Sequence, residues 1–469
     1  MDALPQWLSN LLPIVLLLGA IALALARMPK VELGHSEAFK RRRFLNWFPL
    51  GLTYAFLYFG RYNVNELTSA LGAKTDNKAF AIIFTAGTII YGVSFVVNGP
   101  LTDRLGGRIT MLLSSAGAAV ANLLMALVVW LNVAKEWTPP GGLVLWLSVL
   151  YGLDMYFQSF GAVSIVKVNA AWFHLRERGV QGGVFGILIS LGIYFGYDWS
   201  RAIAKGFPGE PWHVALIPGV VLIGAFLLTW FLVRDTPSQT GHPDFEVGDA
   251  SGHIDDKASV AQVFTKMLTH PVILVIVGIE FCTGFLRNGV MSWYPKFSKA
   301  VSWSDDFVSK NWGLLLCVFG IIGGMMAGVI SDRVFHSRRG PVASVLYGGI
   351  TLGAIAMYFG LTHQWVGWVL VFMALNYVGV HGMLSGTASA DFGGKKNTGV
   401  AVGIIDGFVY LGTGLQTLLV GMLVPEGDAA KSPANWLNWP LAMVPVAVIG
   451  LVLCSRVWNA KPQSAAAAH

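Results

Sequence analysis

Apolar stretches of about twenty residues, separated by short polar or basic segments, recur along the whole chain. Each is long enough to cross a hydrocarbon layer of about 30 Å as a helix. After a leading stretch at 8–26, the pattern predicts twelve helical cores. They lie near 45–70, 79–101, 109–132, 143–172, 180–204 and 213–233, then 271–294, 309–331, 341–361, 366–389, 398–423 and 437–457. The longest polar interruption, DTPSQTGHPDFEVGDASGHIDDKASVAQ, follows the sixth core and reads as a linker. The predicted organisation is an extra N-terminal transmembrane helix with a basic segment (1–43), a six-helix half (44–233), a linker (234–262), a second six-helix half (263–458) and a tail (459–469). The fold class is an all-α polytopic membrane protein.

Composition agrees: 55% of residues are hydrophobic and 12% charged, with mean hydropathy +0.61. The net charge of +7 sits in interhelical clusters: Arg41–Arg43, Arg104 and Arg108, Arg176 and Arg178, Arg338 and Arg339, Lys395 and Lys396. Such clusters mark cytoplasmic loops and not a nucleic-acid surface. They predict an inner-membrane protein with its N-terminus outside and the linker inside. The first stretch lacks a basic flank before it, so it reads as a retained helix and not a cleaved signal. Three isolated cysteines and ten scattered histidines give no disulfide or metal-ligand spacing. No glycine loop of the nucleotide-hydrolase type is present, so ATP-driven transport is not expected; with no catalytic constellation either, no cofactor, metal site or enzymatic activity is expected.

The two halves repeat. GPLTDRLGGR at 99–108 returns as GVISDR at 328–333, and HLRERGVQGGVFG at 174–186 parallels GGKKNTGVAVGII at 393–405. At nearly the same spacing, Arg61 in GLTYAFLYFGRYN is matched by Arg287 in VILVIVGIEFCTGFLRNG. A guanidinium stays charged, and inside an apolar span it normally faces a polar cavity or a partner. Two on repeat-related helices read as a clamp for an anion; the competing reading pairs them with Glu66 and Glu280. Tyr54, Tyr58 and Arg61, at i, i+4 and i+7, share one helix face. Other intramembrane polar residues are Asp154, Gln158 and Lys167 in the fourth core, where an Asp154–Lys167 charge pair is expected. Asp198 and Arg201 end the fifth. In the eleventh, Asp406 stands one turn before Tyr410, and ion pairing, proton carriage and contact with a substrate hydroxyl are all open to it. Asp103, Arg104, Arg108, Asp332 and Arg333 occupy the repeated loops and read as gating residues.

With YAFLYFGRYN, LTDRLGGR, WFHLRERG, VRDTPSQTGHP, LRNGVMSWYPKF, SDRVF and GGKKNTGVAVGIIDGFVYLGTG in place, the chain from about residue 40 to 458 resembles the organophosphate:inorganic phosphate antiporter family. That family belongs to the major facilitator superfamily and includes glycerol-3-phosphate and hexose-phosphate transporters. The resemblance implies that Arg61 and Arg287 bind phosphate and that Tyr54, Tyr58 and Tyr410 lie near the substrate. It also shows departures. Ile189 stands where family members carry a fifth-helix histidine, and Phe95 where they carry a second-helix lysine. Ala162 and Gly284 stand where they carry aromatics. The expected function is exchange of an organic phosphate for inorganic phosphate by alternating access, in a monomer whose partners are a small anion and membrane lipid. Two alternatives are a proton-coupled symporter of another organic anion and a membrane sensor of sugar phosphate.

Overall fold

Polar caps and glycine turns divide the apolar stretches into helices. The Ser36 hydroxyl accepts from Phe39 N (3.2 Å) and a carboxylate oxygen of Asp76 from Ala79 N (2.7 Å), each satisfying an end group of a helix. The computed structural model describes residues 15, 19, 35–174, 186–245, 260–335 and 339–459. Ten stretches among them are long and apolar enough to cross a membrane. Glu37–Leu71 and 186–206, whose charged residues lower their hydropathy, run alongside these and complete two sets of six.

In chain order the first half contains α1 (Glu37–Leu71), α2 (Asn77–Leu105), α3 (Gly107–Ala134), α4 (Leu143–Trp172), α5 (186–206) and α6 (His213–Leu232). The second contains α7 (Pro271–Ala300), α8 (Trp312–Val334), α9 (Arg339–Gly360), α10 (Val366–Leu384), α11 (Gly403–Leu423) and α12 (Asn438–Arg456). Successive helices run in opposite directions. One face of the bundle therefore carries the linker and the other, the far side, carries the turns near 72–76, 207–212 and 424–437. Large apolar side chains such as Val97, Phe231, Leu352 and Phe359 point outward, while Asn63, Asn122, Asp154 and Gln158 are buried. A bundle solvated by lipid has this distribution.

Some expectations need adjusting. Arg41–Arg43 stand inside α1, which starts at Glu37, well before the expected core at 45. A π turn at Phe195–Trp199 widens α5. Helical backbone continues through 385–402, so the antiparallel spans α10 and α11 are joined by helical turns and not by an extended loop. A short helix, Val260–Thr269, begins where linker was expected. Apart from Val15 and Gly19, both helical, the predicted leading helix at 8–26 lies outside the described residues, as do most of the linker and the tail.

The halves meet along two seams. α2 lies against α11, with Thr85 Oγ1 donating to Gly414 O (3.2 Å). A Cβ on Gly92 would come within 2.8 Å of Gly407 O, so bare glycine is what permits this approach. The second seam joins α5 to α8 on the far side. There Asp198 accepts from Gly313 N (3.0 Å) and Leu314 N (2.8 Å), so a carboxylate of one half caps a helix of the other. Arg201 donates to Ser309 O, and Lys299 Nζ to Ser69 Oγ (2.7 Å), on the same side.

The residues read as gating ones lie on the linker side. Asp103 pairs with Lys167 (2.9 Å), tying α2 to α4 within the first half. Lys167 therefore does not pair with Asp154 as expected, because the two stand far apart along α4 and each has a nearer partner. Arg108 N donates to Asp235 Oδ1 (2.8 Å), and its guanidinium to Trp230 O (2.8 Å), fastening the start of α3 to the end of α6. Gly106, between α2 and α3, has φ +88°, and a Cβ there would meet Asp235 Oδ2 at 2.9 Å, so both conformation and space require glycine. Arg104 and Arg333 are exposed, and the Asp332 side chain lies outside the described set.

Candidate substrate site

Helical spacing delivers Tyr54, Tyr58 and Arg61 to the interior face of α1, and all three are buried. Arg61, only 1% exposed, gives its donors to neutral oxygens. Nε bonds Gln158 Oε1 (2.9 Å), Nη2 bonds the Tyr91 hydroxyl (2.9 Å) and Nη1 bonds the Tyr410 hydroxyl. The rings of Tyr58 and Tyr91 cover the guanidinium at 4.5 and 4.4 Å, a favourable placement for a cation. Gln158 is fixed in turn, since its Nε2 donates to Asp154 Oδ2 (2.8 Å) while Asn122 donates to Oδ1 (3.2 Å). Asp154 thus steadies the Arg61 shell one step removed. Tyr54 packs edge-on against Tyr58 (5.2 Å) and reaches the site through that ring.

Arg287 arrives from α7 in the other half and is 8% exposed. Its guanidinium lies 5.5 Å from the Tyr410 ring, the same distance as that of Arg61, so one tyrosine of α11 stands between the two cations. Arg287 Nη2 is buried without a hydrogen-bond partner. Two glycines make the meeting possible. A Cβ on Gly284 would run into the Val409 carbonyl, and one on Gly412 into the Phe281 carbonyl. The backbones of α7 and α11 therefore touch where Arg287 and Tyr410 face each other. The departure at 284 has this physical reason: no side chain fits there. Phe95 is buried on Tyr91 (4.7 Å) and Tyr410 (6.4 Å), replacing a charge with a wall of the same aromatic cluster. Ile189 and Ala162 are half-buried apolar packing.

Neither arginine forms a direct ion pair with Glu66 or Glu280, although Arg287 is close enough to Glu280 to act on it electrostatically. Glu66 acts on Lys296 toward the far side, and Glu280 Oε2 lies 2.9 Å from His381 Nδ1. Glu280 is fully buried, with Oε1 unpartnered. Asp406 is half-buried and close enough to Tyr91, Glu280 and His381 to act on each electrostatically. Sequence reasoning missed Tyr91 and His381. Tyr91 lies among apolar residues of α2 with no motif around it. His381 is one of ten histidines with no ligand spacing, although an imidazole inside an apolar span is itself a signal.

Two cations from different halves, set among neutral acceptors and aromatic faces, keep their charge available to an anion. The sequence matches the Major Facilitator Superfamily over residues 50–417. The chain belongs to that superfamily. Within it the chain is 23% identical over 446 residues to the glycerol-3-phosphate transporter of Bacillus subtilis (strain 168), covering 90% of this chain and 94% of that one. It is also 23% identical to a "probable hexose phosphate transport protein" of Chlamydia pneumoniae, covering 90% and 93%. Identity to the membrane sensor protein UhpC of Salmonella typhimurium is 26%, covering 78% and 81%. Among solved structures, a bacterial homolog of the human lysosomal transporter Spinster superposes with TM-score 0.65 at 13% identity, covering 90% of this chain and 98% of the other. The superfamily's fold of two six-helix halves is thus present, and the protein is a multi-pass membrane transporter, not an enzyme.

Proposed function

We propose that this protein exchanges a small organic phosphate, of the glycerol-phosphate or hexose-phosphate kind, for inorganic phosphate across the inner membrane. One observation carries the reading. Arg61 and Arg287, one from each half, converge on the Tyr410 hydroxyl, and Arg287 Nη2 is buried and unpaired. A phosphate dianion entering between them accepts bidentate bonds from both guanidinium groups and replaces tyrosine oxygen as their ligand. Asp154, through Gln158, holds Arg61 in position for this without neutralising it directly. The names of the curated relatives point to the same substrate class.

Alternating access follows from placing the two cations on opposite halves. Bound phosphate draws both halves onto one ligand. With the site empty, like charges face each other and disfavour passage through the closed intermediate. Return therefore requires another anion, which makes exchange the natural mode. Opening toward the far side requires release of Asp198 from the start of α8 and of Arg201 from Ser309.

Counterflow into proteoliposomes preloaded with inorganic phosphate tests this. Glycerol 3-phosphate or a hexose phosphate should accumulate from outside, and non-phosphorylated carboxylates should not. Uptake into phosphate-free vesicles driven by a pH gradient alone would replace exchange with proton symport. Tight binding of sugar phosphate without counterflow would make the protein a sensor, the role named for the UhpC relative.

A further inference from the structure

A second cationic site, far from Arg61 and Arg287, occupies the linker-side end of α6. Three guanidinium groups gather on one helix terminus. Arg42 Nη2 donates to Leu232 O (2.8 Å), Arg108 Nη2 to Trp230 O (2.8 Å) and Arg234 Nη1 to Val233 O (2.7 Å). A helix C-terminus offers roughly half a negative charge, so capping alone leaves most of this positive charge uncompensated. Asp235 accepts from Arg108 N (2.8 Å) and offsets part of the Arg108 charge, and Asp244 accepts from Ser238 N (3.0 Å), whereas the charged group acting on Arg42 is another cation, Arg234. Arg42 Nη1 and Arg108 Nε are buried without a hydrogen-bond partner.

A groove of about 360 Å³ opens at this corner, lined by Arg42, Arg234, Gln239 and Thr240 together with the apolar Leu45, Phe231 and Leu232. Gln239 Oε1 is taken by Asp235 N (3.0 Å), so its amide N–H groups are the end it can offer a ligand. Phe231 is 66% exposed and Trp230 49%, both on the lipid-facing surface of the bundle. The groove therefore joins guanidinium and amide donors to an apolar wall at the level where a spanning helix leaves the hydrocarbon. Its position is fixed from behind, because the Arg234 backbone bonds Asn46 (2.7 and 3.2 Å) and Trp172 (3.0 Å).

We propose that this groove binds an anionic glycerophospholipid, the phosphate lying on Arg42 and Arg234 and an acyl chain on Leu45 and Phe231. A soluble phosphate satisfies the arginines and leaves the apolar wall unused; a lipid satisfies both. Each basic residue near an anionic membrane surface contributes about 1 kcal/mol, or roughly fivefold in affinity. The site is separate from the proposed transport site, so it stands or falls independently of it.

The full-length protein, purified in a neutral detergent, is titrated with phosphatidylglycerol, phosphatidylcholine and inorganic phosphate, with bound lipid read by native mass spectrometry. Phosphatidylglycerol should be retained over phosphatidylcholine, and Arg42→Gln or Arg234→Gln should each reduce that preference about fivefold. Arg61→Lys should leave it unchanged. Equal retention of the two lipids, an unchanged preference in both groove variants, or displacement of phosphatidylglycerol by millimolar inorganic phosphate would each overturn the proposal. Should the variants not fold, a photoactivatable phosphatidylglycerol on the unaltered protein decides. Attachment within 42–45 or 230–240 supports the site, and attachment elsewhere refutes it.

Discussion

At the scale of single residues, Arg61 is held at three points: three donors are matched by three neutral acceptors, with Asp154 behind one of them. The sequence showed the position of Arg61, its match with Arg287 and the shared face of Tyr54 and Tyr58, because these depend on helical spacing and internal repetition. It also marks Gln158 and Asp154 as unusual intramembrane polar residues. It did not show that Gln158 links Asp154 to Arg61, nor that Tyr91 completes the shell, because both facts depend on how α1, α2 and α4 pack. This shell makes a prediction. Gln158→Leu removes the acceptor of Arg61 Nε and the donor to Asp154, leaving buried polar groups unmatched. Each such group costs about 1–3 kcal/mol, so a lower unfolding temperature in detergent and weaker exchange are expected. Unchanged stability and exchange would mean that Gln158 does not position Arg61.

At the scale of elements, bare glycine backbones govern how α7 meets α11. Gly284→Ala forces a methyl group into the Val409 carbonyl, and overpacking of this kind costs about 1–3 kcal/mol. The expected result is reduced thermal stability and reduced exchange, with Gly348→Ala as control because nothing lies within 4 Å of its Cβ. Equal behaviour of the two variants would argue against a tight α7–α11 crossing. The far-side contact of α5 with α8 makes a second prediction. Asp198→Asn removes the charge that caps α8, and a charged hydrogen bond is worth about 1.5–3 kcal/mol. A cysteine placed at buried Ser292, in an otherwise cysteine-free protein, should then be labelled faster by a soluble maleimide. An unaltered rate would show that Asp198 does not hold the far side closed. The helices themselves were legible from apolar length, but their partners were not. Hydrophobicity locates a span and says nothing of which neighbour it touches, which is why Lys167 was assigned to Asp154 and was found on Asp103.

At the scale of the whole molecule, the internal repeat was the strongest signal in the sequence, since landmarks at nearly equal spacing divide the chain into the two six-helix halves that are present. The substrate's organic part has no such signature, because a cavity wall is assembled from several helices and leaves no linear motif. The basic clusters make a topological prediction: a cysteine in the 234–262 linker should react only with reagents on the cytoplasmic side. Reaction with an impermeant external reagent would invert the orientation. The central claim, that one arginine from each half binds the phosphate group, is tested most directly by calorimetric titration of inorganic phosphate into equal amounts of folded parent, Arg61→Lys and Arg287→Lys protein. Lysine keeps the charge and loses the planar two-pronged donor. Each variant should bind about tenfold to a hundredfold more weakly, as expected for one lost charged hydrogen bond, and Tyr410→Phe, which removes a neutral hydroxyl, should lose less. Parent-like affinity in both lysine variants would contradict the account.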